Sequence, residues 1–216
     1  MLKEQKQLRY HYNSYYYNEK NILMQKSYHK EFKYIYYPEK NNHKTINDWI
    51  RNGHLYENDV GLFLTRIISP KDTCVDIGAN VGFFSLASRF YFPNSEIHAF
   101  EPNLNLKEYL IHNFSNLNIK LYPKAVGERS GTVQLNIIGE SNQTRVNESS
   151  PGATEMITLE SILSNIDGEI DLLKMDCEGS EWGILRDTES LKQVNNITLE
   201  YHLWANQKTH EDAKNL

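Results

Sequence analysis

The sequence predicts an α/β protein with a mostly parallel sheet and helices on both of its faces. Three observations carry that expectation. Short apolar strands alternate with amphipathic helical stretches through the second two-thirds of the chain. One strand ends in an acidic residue and runs through two glycines four apart straight into a helix, as Val75-Asp76-Ile77-Gly78-Ala79-Asn80-Val81-Gly82. The next strand ends in Phe100-Glu101-Pro102, its carboxylate 25 residues after Asp76, at the sheet edge where such proteins bind ligands.

Taken in order, residues 1–44 mix Tyr, Asn, Lys and Glu without clean helical or strand periodicity, as expected of a tail or a loosely packed add-on. The chain is therefore read as a basic, Tyr-rich extension over 1–45 and a domain over 46–216. Val60, Phe63, Leu64, Ile67 and Ile68 recur at helical spacing, and Pro70 stops the run. A strand follows from Cys74 to Ile77, then a helix from Phe83. Strands are expected over Glu96–Phe100 and Ile119–Tyr122, with a helix over 104–114 between them. Residues 131–138 read as a further strand and 139–154 as a polar loop. Thr158 caps a short helix ending near Leu163. Residues 170–175 form a strongly apolar strand, 181–186 begin a helix, and 197–203 form the last strand.

The 216 residues weigh 25.3 kDa and have a mean hydropathy of −0.62, with 24% charged and 39% hydrophobic side chains. Collagen-like, wholly disordered and membrane classes are excluded by that composition. The net charge of −5 hides a split, since residues 1–44 carry +5 and the remaining 172 carry −10. Nine of the 14 tyrosines lie in the first 37 residues, interleaved with Arg9, Lys26, Lys30 and Lys33. No defined nucleic-acid motif accompanies them, and an acidic domain repels phosphates, so no nucleic-acid partner is expected. There is no signal-peptide h-region and no apolar stretch long enough to span a bilayer, so a cytoplasmic protein is expected. Cys74 and Cys177 are read as structural, toward opposite edges of the sheet and too far apart along the strands for a bridge.

Four constellations carry chemistry. Gly78 permits a tight turn, and Gly82 lets the helix start approach a ligand. Asn80 stands where a dinucleotide fingerprint needs its second glycine, which argues against a nicotinamide oxidoreductase. Asp76 suits a ligand bearing an amino group or positive charge, and Glu101 can accept both hydroxyls of a ribose. In Leu173-Lys-Met-Asp-Cys-Glu-Gly-Ser-Glu181, the carboxylates of Asp176, Glu178 and Glu181 crowd the end of a buried strand, a setting for a general base or a cation. Glu200 and His202 are expected on one face of the last strand. Asp176, Glu178, Glu200 and His202 could together ligate a metal, but a histidine–carboxylate base pair is the favoured reading and metal dependence stays open. Glu181 orients an acceptor, caps the helix it begins, or is simply solvated.

These motifs resemble the FkbM family of S-adenosylmethionine-dependent methyltransferases. The matching segments are Val75 to Gly82, Ala99-Phe-Glu-Pro102, Thr158-Leu-Glu-Ser-Ile-Leu163, Leu173 to Glu181 and Glu200-Tyr-His202, with Tyr56-Glu57 ahead of the first helix. The resemblance covers roughly residues 50–203. It implies a Rossmann-like class I methyltransferase fold and O-methylation of a hydroxyl on a sugar, glycan or secondary metabolite. By position it assigns S-adenosyl-L-methionine to Asp76, Gly78, Ala79, Asn80, Gly82, Glu101, Ala125, Val126 and Asp176. Catalysis falls to Asp176, Glu178, Glu181, Glu200 and His202. The family fold ends in an antiparallel hairpin, and the 13 residues after Leu203 are too few for it. The hairpin is therefore expected to be missing, leaving the fifth strand as an edge that could pair in a homodimer. The same shortness raises an alternative, a module that binds the cofactor but is inactive or needs a partner.

Overall fold

The computed structural model describes residues 69, 72–137, 144–147 and 152–215, and three strand segments nearer the N-terminus. The helix expected over 60–68 and the Tyr56-Glu57 segment lie outside the described residues.

The N-terminal segments hold strands that the sequence reading did not foresee. Strands β1 (Ser14–Tyr17), β2 (Leu23–His29) and β3 (Lys33–Pro38) pair in antiparallel order β1-β2-β3 within the stretch read as a tail or add-on. Tyr is among the better strand formers whatever its spacing, so high propensity without alternation was the signal.

The main sheet has five parallel strands. They are β4 (Thr73–Ile77), β5 (Glu96–Phe100), β6 (Ile119–Tyr122), β11 (Leu172–Met175) and β12 (Ile197–Leu199), in the order β12-β11-β4-β5-β6. The first strand in sequence sits centrally and the chain winds outward on both sides of it, the Rossmann-like arrangement. The registers Asp76↔Ala99 and Asp76↔Lys174 align the carboxyl ends of the three central strands. The turns that follow therefore converge on one edge.

Helices cover both faces, as expected. Helix α1 (Phe83–Tyr91) and helix α2 (Lys107–Asn113) pack on one, with Leu86, Leu106, Leu110 and Phe114 closing around Ala99. On the other, helix α3 (Leu159–Leu163) and helix α4 (Glu181–Ile184) meet Val75, Ile77, Leu173 and Met175. Burial on both faces is why β4 and β11 read as apolar runs rather than alternating ones. Thr158 caps α3 through a side-chain oxygen that accepts from the Ser161 backbone N–H. Helix α5 (Thr188–Leu191) precedes β12.

A second sheet was not foreseen. Strands β7 (Ala125–Val126), β8 (Gly131–Ile137), β9 (Thr144–Asn147) and β10 (Thr154–Ile157) pair in the order β7-β10-β8-β9, all contacts antiparallel except β7 with β10. Thus β9 lies within the expected polar loop. Its sequence, Thr-Arg-Val-Asn, offers one apolar residue, and it is held by cross-strand pairing with β8.

Strand β12 ends at Leu199 and not near residue 203, so Glu200 and His202 sit in the turn beyond it. A 3-10 turn over Ala205–Gln207 and helix α6 (His210–Lys214) follow, the helix opened by a capping box between Thr209 and Asp212. Strand β12 is the margin of the sheet among the described residues. The two cysteines are free. They lie on or beside the adjacent strands β4 and β11, not toward opposite edges; the residues separating them along the strands keep them apart.

Candidate active site

The glycine turn after β4 is locked from inside. The Gly78 and Ala79 N–H groups both donate to Phe100 O at 3.0 Å. Gly78 has φ +81°, and a β-carbon there would fall 1.9 Å from Asp176 O, so only glycine fits between the two strand ends. Gly78→Ala is expected to cost about 2–4 kcal/mol through overlap and left-handed strain. Urea unfolding checks this, and an unchanged midpoint would contradict the crowding described. Gly82 (φ +93°) serves packing rather than ligand approach, because a β-carbon there would lie 2.4 Å from Phe114 Cε1.

Asp76 is turned inward. It is 1% exposed, accepts from Ser85 Oγ at 2.7 Å, and its Oδ1 lies 3.1 Å from Lys174 Nζ, which also donates to Gly78 O at 2.9 Å. Its charge is thus matched by a buried lysine on β11, and the pair pins the glycine turn to the neighbouring strand. Ala79 is likewise buried, in the core with Phe114.

A narrow cleft with about 50 Å3 of free space opens at the carboxyl edge of the sheet. Gly78, Asn80, Glu101, Ala125, Val126 and Asp176 line it. Glu101 is buried, and its two oxygens accept from the Asn80 and Asn103 N–H groups at 2.8 Å each. A carboxylate oxygen has two lone pairs, so each retains one for a ligand hydroxyl. Burial pushes the Glu101 carboxyl up to about 7, against the pull of the two backbone N–H groups. Phe100, Ala125 and Val126 supply apolar wall. A buried acceptor beside an apolar wall is a lining that suits a ribose and an aromatic base.

Beside the cleft the turn after β11 gathers the remaining candidates around His202. Glu181 is completely buried; Oε1 accepts from Cys177 N and Oε2 from Gly179 N, both at 2.8 Å. The same Oε1 lies 3.1 Å from His202 Nδ1. Glu181 is therefore neither solvated nor a simple cap: it clamps the turn and orients the ring. The opposite nitrogen, Nε2, faces Glu178 Oε2 at 3.7 Å, Asp176 Oδ1 at 3.9 Å and Glu200 Oε1 at 3.9 Å. Glu178 has φ +54°, a left-handed conformation unfavourable for a side-chain-bearing residue and tolerated where a site demands it.

The electrostatics follow from this nest. Burial works against a charged His202, but the bond to Glu181 and the charges of Glu181, Glu178 and Asp176 outweigh it and raise its pKa. Burial opposes ionisation of Glu181 too, yet the His202 and backbone bonds hold its pKa below the usual carboxylate value. Glu178 is shifted up, chiefly by burial. Burial also raises the Cys177 thiol, so it is no ready nucleophile. Asp176, Glu181 and His202 each bring a ligand-capable atom within 4.8 Å of the others, a triad that differs from the expected set by including Glu181. Both Glu181 oxygens already accept hydrogen bonds, which favours ring orientation over metal ligation.

A family model for the methyltransferase FkbM domain matches residues 76–215. The chain belongs to the FkbM methyltransferase family. No curated protein matches it by sequence. Among solved structures, the FkbM methyltransferase of Methylobacillus flagellatus KT is similar at 19% identity and a TM-score of 0.40, over 57% of this chain and 31% of that one. The chain thus spans about a third of that protein's length.

In this FkbM methyltransferase domain, tertiary structure adds residues that motif reading passed over. Lys174 is the partner of Asp76, and the signal was a lysine inside an otherwise apolar strand, which demands a counter-charge. Thr144 and Val146 of β9 reach the cleft, and Asn103 Nδ2 donates to Thr144 Oγ1 at 3.0 Å, tying that strand to the Glu101 turn. No short motif marks them. Among the described residues no helix is long and apolar enough to cross a membrane.

Proposed function

We propose that the domain transfers a methyl group from S-adenosyl-L-methionine to a hydroxyl oxygen of a small-molecule or glycan acceptor. One observation carries the reading: Asp176 belongs to both halves of the site, lining the cleft and standing 3.9 Å from His202. A cofactor pocket and an oriented histidine are therefore contiguous.

When bound, S-adenosylmethionine supplies a methyl group made electrophilic by its positively charged sulfur. Glu101 would hold the ribose hydroxyls, Ala125 and Val126 would flank the adenine, and Gly78, Asn80 and Asp176 would line the remainder. Asp76, Ala79 and Gly82 act from behind, keeping the turn in shape. His202 accepts the hydroxyl proton at Nε2, while Glu181 holds Nδ1–H and stabilises the imidazolium that forms. Glu178 and Glu200 add negative charge near that cation, and Asp176 aligns the hydroxyl.

Calorimetry with S-adenosylhomocysteine tests the donor half. Glu101→Gln is expected to weaken binding about tenfold, because the amide presents a donor to a backbone N–H where an acceptor stood. Release of labelled methyl into a panel of hydroxyl compounds tests the transfer half. Donor binding with no transfer to any acceptor would favour an inactive or partner-dependent module, and absence of binding would overturn the reading altogether.

A further inference from the structure

A second, open cavity of about 540 Å3 adjoins the donor cleft and shares Val146, Glu178 and Ser180 with it. Alternation along β9 divides the strand between the two spaces: Thr144 lines only the cleft, and Arg145 and Asn147 only the second cavity. The guanidinium carbon of Arg145 lies 3.8 Å from the ring centroid of Trp204, which also lines this cavity. Stacking occupies the face of a guanidinium and leaves its in-plane N–H edge for a planar or tetrahedral oxyanion. The Arg145 Nε is buried and has no hydrogen-bond partner among the described residues. A buried donor is nearly always satisfied in a native structure, so this nitrogen is not spent on the protein's own acceptors.

The other charges of the cavity have their own partners. Arg186 reaches Glu128 at 3.2 Å, and Glu178 faces His202 at 3.7 Å. Among the described residues Arg145 is the lining cation with no ion pair within 4 Å, although its charge also acts on Glu178; it stacks on Trp204 across the shared wall from the donor cleft.

We propose that this cavity is the acceptor site and that Arg145 binds an acidic group, a carboxylate or phosphate, on the molecule to be methylated. The acceptor class is then a hydroxyl compound bearing an oxyanion, such as a uronic acid or a sugar phosphate, and not a neutral alcohol. The word acceptor rests on the methyl-transfer reading; the anion site does not.

The test uses the full chain, with glucuronic acid, glucose 6-phosphate, acetate and inorganic phosphate as probes and glucose as the neutral control. Binding is read on the Arg145 Nε–H resonance by 15N NMR and, in parallel, by calorimetry. At least one acidic probe is expected to saturate at millimolar concentration and move that resonance, and glucose is not. Binding of glucuronic acid or acetate alone assigns a carboxylate; binding of the phosphates alone assigns a phosphoryl group. Arg145→Gln should weaken the acidic probe about tenfold or more, with S-adenosylhomocysteine affinity unchanged. The proposal is overturned if no acidic probe binds, if glucose binds as well as the acids, or if Arg145→Gln leaves their affinity intact. Failure of the wild type to bind S-adenosylhomocysteine would instead sink the methyl-transfer reading and leave the anion site standing.

Discussion

Replacing Lys174 with alanine is expected to destabilise the domain by about 3–5 kcal/mol, measured by urea unfolding. Asp76 is almost wholly shielded from solvent, and the Lys174 ammonium is the only cation within ion-pairing distance of it among the described residues. Removing that cation leaves a buried carboxylate with only the Ser85 hydroxyl beside it. It also frees Gly78 O, to which Lys174 donates, so the turn lining the cleft should loosen and, on the proposed function, S-adenosylhomocysteine should bind less tightly. The double variant Asp76→Leu/Lys174→Met is expected to recover much of the stability, since replacing both ions with apolar groups removes the desolvation cost together with the attraction. A Lys174→Ala loss below about 1 kcal/mol would mean the pair is hydrated, contrary to its burial.

The second large effect falls on catalysis. His202→Ala is expected to lower kcat by about 10²–10⁴ while leaving donor affinity nearly unchanged, as for loss of a general base. The pH profile gives a sharper check. Because Glu181, Glu178 and Asp176 hold the His202 pKa above its ordinary value, the ring becomes neutral, and able to take a proton, only as pH rises through that raised pKa. Activity should therefore climb on the alkaline side of about 6.5. Glu181→Gln removes the strongest influence favouring the charged ring, so the rising limb should move to lower pH even as the maximal rate drops. A limb that stays in place would separate Glu181 from the proton transfer. The same pairing contributes to stability in the opposite sense: it is fully present below the unfolded-state pKa of histidine and lost as pH rises through the folded value.

The sheet and the identity of its ends were readable because parallel strands buried on both faces must be apolar. Val75, Ile77, Leu173 and Met175 announce themselves as such, and the glycines and carboxylates that follow β4 and β11 mark the edge where the cleft opens. Segments supported by neighbours rather than by their own composition were not readable. Strand β9 exists through its pairing with β8, and the N-terminal strands lack alternation. The direction of a polar side chain was equally hidden. Asp76 and Glu101 both stand at strand ends in sequence, yet one is turned inward onto Lys174 and the other lines the cleft.

The sequence by itself determined the α/β class, the family and the set of carboxylates around His202, because each depends on residue type at a spacing set by the strand and the turn. Tertiary structure alone decided which acid orients the histidine, which is cancelled by a buried lysine, and where Arg145 and Trp204 meet. Those outcomes depend on distances between residues far apart in the chain. They also depend on which charges lose their water, and no local spacing encodes that.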